Sequence, residues 1–152
     1  MQFGTDTYRN GAKERLGDAR VLLDRQRFVC AIYAAGLAVE GMLRSLIWMR
    51  SKEFSERHDL RKLAVCVGDL GLLRPGERDE GFVSDVQSIS RCWSNALRYA
   101  DKDKAADFLF ESGAIKKNDE DNLNLLSNEH FQRCSNVVKR CEVLWTRNRK
   151  SK

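Results

Sequence analysis

The chain has 152 residues, 42% hydrophobic and 32% charged, with ten glycines, one proline and a net charge of +5. That is one domain's worth of chain with the balance of a folded protein, which excludes disordered, collagen-like and proline-rich classes. The length suffices to bury a core without disulfides or structural metal.

Charge is unevenly placed. Arg133 to Lys152 carries seven Lys/Arg against one acid, while the first 132 residues sum to −1. Residues 1–146 therefore read as a single helical domain and 147–152 as a basic C-terminal tail. Such a tail is either a solvated terminus or an attractor for phosphates. The five cysteines, Cys30, Cys66, Cys92, Cys134 and Cys141, are odd in number and contain no CxxC. This pattern predicts small core filler in a reducing, cytoplasmic compartment rather than a disulfide framework. With only His58 and His130, no metal site and no cofactor are expected. The longest apolar stretch, Phe28 to Met49, holds Glu40 and Arg44, so it reads as a buried helix and not as a membrane span.

The periodicity is helical almost throughout, with no strand alternation. Ala12, Leu16, Ala19 and Leu23 mark a first helix, capped by Thr5 or Asp6. The second carries Phe28, Ile32, Ala35, Val39, Met42, Leu46 and Met49 on one stripe and Val29, Tyr33, Gly36, Glu40, Leu43 and Ile47 on the next. A helix apolar on two stripes belongs at the centre of a bundle. Gly36 and Gly41, with Ala34, Ala35 and Ala38, thin one face and admit a close helix from this chain or a second copy. Ser55 to Asp59 reads as a connection, followed by a third helix with Leu60, Leu63, Val67 and Leu70, stopped by Gly71 and the Arg74-Pro75-Gly76 turn. Phe82, Val86, Ile89, Trp93 and Leu97 predict a fourth helix, Asp101 to Ser112 a short fifth, and Lys116 to Asn122 an exposed loop. Phe131, Cys134, Val138, Cys141 and Trp145 predict a last helix from about Ser127. The fold class is all-α, an antiparallel up-and-down bundle of four to five main helices with short connections.

At the second helix the residue order becomes specific. Arg27-Phe28-Val29-Cys30-Ala31-Ile32-Tyr33-Ala34-Ala35-Gly36-Leu37-Ala38-Val39-Glu40-Gly41-Met42-Leu43-Arg44 resembles the second helix of the HEPN domain family. Arg57-His58-Asp59-Leu60 is similar to the opening of that family's next helix, and Trp93 to Tyr99 to the end of a later one. The resemblance implies a helical bundle, usually a homodimer, that works on or near RNA or nucleotides. Many such domains are metal-independent ribonucleases in toxin–antitoxin or antiphage defence systems. Others are non-catalytic, with a nucleotidyltransferase or antitoxin as partner. The ribonuclease branch places a histidine at a short interval after a catalytic arginine. Here Arg91 is followed by Arg98 and Tyr99, with no histidine between Asp59 and Glu129. General acid–base catalysis needs a group titrating near neutrality, which arginine does not supply.

The expectation is a non-catalytic module that binds RNA, a nucleotide or a partner protein, away from any membrane. The alternatives are a ribonuclease toxin with a degenerate site at Arg91, Arg98 and Tyr99, and a purely structural interaction bundle. The candidate ligand residues are Glu40, His58, Arg91, Arg98 and Tyr99. Glu40 needs a partner if buried, Arg98 or His58, or else it lines a ligand pocket. Tyr33 is placed to reach the same cluster. Arg91 and Arg98, seven apart, would share a helix face and suit phosphate or structural carboxylates equally. His58 reads as a cap or local hydrogen bonder, with a catalytic base as the rival role. Trp48, Trp93 and Trp145 sit at core spacings, with base stacking as their minor alternative.

Overall fold

A computed structural model describes residues 3–53, 58–77, 81–116 and 122–150. Among these residues six α-helices run in order: α1 (Thr5–Asp24), α2 (Phe28–Trp48), α3 (Leu60–Asp69), α4 (Val83–Cys92), α5 (Lys102–Glu111) and α6 (Asn122–Lys150). A 3-10 turn (Asn95–Tyr99) separates α4 from α5, and no strand occurs among the described residues. Arg57, most of the expected 55–59 connection and most of the expected 116–122 loop lie outside the described residues.

Helix α2 is the hub. It packs against α1, α3, α4, α6 and the 3-10 turn. Ile32, Val39, Met42, Leu43 and Leu46 are at most 1% exposed, as its two apolar stripes require. This helix is long and apolar enough to cross a membrane, but 72% of its most apolar window is buried inside the bundle.

The two thin positions of α2 receive different neighbours. At Gly36 an added Cβ would lie 2.0 Å from Cδ1 of Trp93. The Trp93 indole is fixed there by donating from Nε1 to the Tyr33 carbonyl at 3.0 Å. At Gly41 a Cβ would meet Ala12 Cβ at 3.1 Å, so α1 is the helix that approaches. The close partner at both positions belongs to the same chain.

Several local expectations change. Gly4, not Thr5 or Asp6, stands at the N-cap of α1. Thr5 Oγ1 instead donates to the Ser45 carbonyl at 2.8 Å and accepts from Trp145 Nε1 at 3.0 Å. These bonds tie α1, α2 and α6 together. The fourth helix ends at Cys92, because Trp93 is extended (φ −129, ψ 134) and Ser94 caps the 3-10 turn through Ala96 N–H. Leu97 is still buried, against Ile32 and Leu109, so its helical spacing was satisfied by a turn. Helix α6 starts five residues before Ser127, whose hydroxyl bonds back to the Leu123 carbonyl from inside the helix. The boundary expected at 146/147 falls within α6, which continues to Lys150. Asp59, rather than its neighbour His58, caps α3 through Arg61 and Lys62 N–H, and Gly71 (φ 70) ends it as expected.

Candidate functional site

Three elements meet at Glu40. The α2 backbone holds it 4% exposed in mid-helix, where an unpartnered carboxylate would be costly. One turn on, Arg44 donates from Nε to Oε1 at 2.7 Å. From the segment before α3, His58 Nδ1 donates to both carboxylate oxygens, at 2.9 and 3.0 Å. A carboxylate only accepts, so this contact fixes the proton on Nδ1. His58 takes the left-handed conformation (φ 53), uncommon for a side chain of its size, while its ring stays 45% exposed.

This cluster lies in a cleft of about 630 Å³ between the first half of α1 and the middle of α2. Tyr8 and Phe3 give it aromatic surface, with Arg15 at its edge. The Phe3 and Tyr8 rings meet edge-to-face at 6.0 Å, and Tyr8 also lies 6.4 Å from the Trp48 ring. Arg44 and His58 thus hold one carboxylate beside aromatic rings, while Arg15, paired with Asp18, lines the same cleft without touching Glu40.

The other candidates lie elsewhere. Arg91 is exposed in the last turn of α4, and Arg98 and Tyr99 are exposed on the 3-10 turn. The break at Trp93 removes the shared helix face expected for the two arginines. Arg98 does not pair with Glu40; its guanidinium lies 4.5 Å over the Tyr99 ring. Tyr99 is 80% exposed. The Tyr33 hydroxyl points not to Glu40 but to Asn95 Oδ1, at 3.5 Å. Of the five candidates, the fold brings only His58 to Glu40; Arg98 and Tyr99 stay together on the 3-10 turn. Tyr8, Arg15 and Arg44 were missed. Arg44 had a readable signal, since Glu40 and Arg44 are four apart on one helix. Tyr8 and Arg15 reach the site by tertiary packing alone.

His130 is sealed in the core at 1% exposure, and Nε2 donates to the Ile32 carbonyl at 3.2 Å. Burial pushes its pKa down to about 4. Its Nδ1 has no hydrogen-bond partner. Such a ring is neutral and unreachable at pH 7, so it offers no general acid. Burial likewise drives the Cys134 thiol well above its usual range and Cys141 to about 12. Cys30, by contrast, is exposed and Cys66 half-buried, so core filling describes only Cys92, Cys134 and Cys141. Among the described residues no three His, Cys, Asp or Glu side chains converge as metal ligands.

The HEPN domain family model matches residues 6–140. This chain belongs to the HEPN family. The match covers α1 through most of α6, including every residue of the Glu40 cluster. No curated protein and no solved structure matches the chain. Within this HEPN domain the arginine-then-histidine spacing of the ribonuclease branch is missing, and both histidines are committed: His58 to Glu40, His130 to the core.

Proposed function

We propose that this HEPN domain binds a nucleotide or an RNA segment in the Glu40–His58 cleft and does not cleave it. The observation that carries this reading is the lining of the cleft around Glu40. Arg44 and His58 at the carboxylate and Arg15, whose exposed contact with Asp18 constrains it little, offer donors for phosphate, and Tyr8 and Phe3 offer faces for a base. A cleft of about 630 Å³ is of the size that takes a small ligand. Arg91, Arg98 and Tyr99 are exposed on α4 and the 3-10 turn, which disfavours a degenerate nuclease there. The module acts as a homodimer and serves a toxin–antitoxin or defence pair, with a nucleotidyltransferase or antitoxin as the companion. Its working place is the cytoplasm.

Fluorescence anisotropy of a labelled oligoribonucleotide, with mononucleotides as competitors, tests the reading. Arg15→Gln, an exposed change, should weaken binding about fivefold, the loss of one charge-assisted contact. Arg98→Ala should leave it unchanged. Equal loss from both variants would move the site out of the cleft. Light scattering at several concentrations tests the dimer, and a mass that stays monomeric contradicts it.

A further inference from the structure

A second cleft, of about 440 Å³, runs between α1 and α6. Half-buried Leu16 and Phe131 make its apolar walls over the buried Val138, and Gly17 lies beside Leu16 on α1. Among the described residues, nothing packs where a Gly17 side chain would be. Unlike Gly36 and Gly41, a Cβ at this position meets nothing within 4 Å. The helix gives up propensity at an interior position and gains only depth in the cleft. The rim is cationic, with Lys13 and Arg20 from α1 and Lys139 from α6. Its one acid, Glu142, is already engaged by Arg9 Nε at 2.8 and 2.9 Å and lies 3.9 Å from Lys13. Arg20 lies 3.4 Å from Asp24 through an exposed contact, which constrains it little.

We infer that this cleft is a docking groove for an acidic amphipathic helix of a partner protein. A helix laid along α1 would set apolar side chains, three or four apart, against Leu16, Phe131 and Val138. Carboxylates on its flanks would meet Lys13, Arg20 and Lys139. A second copy of this chain fits poorly, because two-fold pairing sets the same cations against each other. A nucleic acid would leave the apolar surface uncovered. The groove is separate from the Glu40–His58 cleft, so this inference stands independently of ligand binding there.

The test uses two synthetic peptides of about 18 residues with one leucine stripe, flanked by Glu in one and by Lys in the other. Anisotropy against the full chain should give binding about tenfold tighter for the Glu peptide, declining with salt. Gly17→Gln fills the groove with a good helix former. It should weaken the Glu peptide about tenfold while the melting temperature holds or rises. Lys139→Glu should reverse much of the preference between peptides. Equal binding of both peptides, binding of neither, or indifference to Gly17→Gln would overturn the inference. So would self-association of the chain that Gly17→Gln abolishes, which would assign the groove to a second copy.

Discussion

Two glycines in helix interiors show how one residue type answers two different demands. Gly36 is where the Trp93 indole lies, so Gly36→Ala forces the ring out of place and should cost about 3 kcal/mol. Gly17 faces open space, so Gly17→Ala should stabilise by about 0.5–1 kcal/mol through helix propensity alone. Urea denaturation of the two variants checks both signs. Glu40 is the opposite kind of residue, kept in place by what it neutralises. Glu40→Ala leaves the partly buried Arg44 without this carboxylate and releases His58 from its left-handed position. A loss of about 2–3 kcal/mol is expected in the same experiment, tempered by the exposure of His58. His130 sets the acid response. Its ordinary pKa is 6.5 and its folded value is about 4. Below pH 6.5 the unfolded chain takes up a proton that the folded chain refuses. Stability therefore falls as pH falls from 6.5 toward 4, by up to about 3 kcal/mol. Between pH 6.5 and 5, His130→Gln should flatten the pH dependence of the denaturation midpoint. Glu77 acts lower, since its bond from Arg147 holds it at about 2. Its contribution is present above the usual carboxylate range and fades as pH approaches 2.

At the level of elements, periodicity located the helices and failed at their ends. Trp93 and Leu97 continue the spacing of Val86 and Ile89, yet the chain turns extended at Trp93 so that its indole reaches Gly36. Tertiary demand overrode a local pattern, and the supposed common face of Arg91 and Arg98 went with it. The last turn of α6 shows the reverse. Its charges read as a solvated tail, but Arg147 donates to Glu77 at 2.7 Å and to the Leu72 carbonyl at 3.0 Å, and Asn148 also donates to Leu72 at 3.2 Å. These bonds latch α6 onto the turn after α3. Removing residues 147–152 should therefore lower stability by about 2 kcal/mol, visible as a drop in melting temperature; an unchanged value would mark the segment as dispensable. The Arg147–Glu77 pairing joins residues 70 apart, and nothing in local spacing announces such a partner.

For the whole molecule, the helical class and the central place of α2 were legible because two adjacent apolar stripes admit no other packing. The HEPN assignment was legible because the Ala-rich, glycine-thinned helix that carries Glu40 and Arg44 is followed by His58-Asp59-Leu60. The site was half legible. A buried glutamate demands a partner, and His58 was one of two expected. Arg44 was readable four residues along the same helix, whereas the exclusion of Arg98 depended on where the fourth helix broke. The cleft walls from α1 depended on how closely α1 approaches Gly41, which a sequence does not state. Function rests on a division between binding and cleavage. General acid–base assistance is worth about 10²–10⁴-fold, and here one histidine is buried neutral while the other is held by Glu40. The most direct test is a single reaction: purified full-length protein with a labelled mixed-sequence RNA in EDTA, followed for both retention and fragmentation. Retention without fragmentation, weakened by Arg15→Gln, is the predicted result. Fragmentation abolished by Arg98→Ala or Arg91→Ala, or no retention at any protein concentration, would contradict the account.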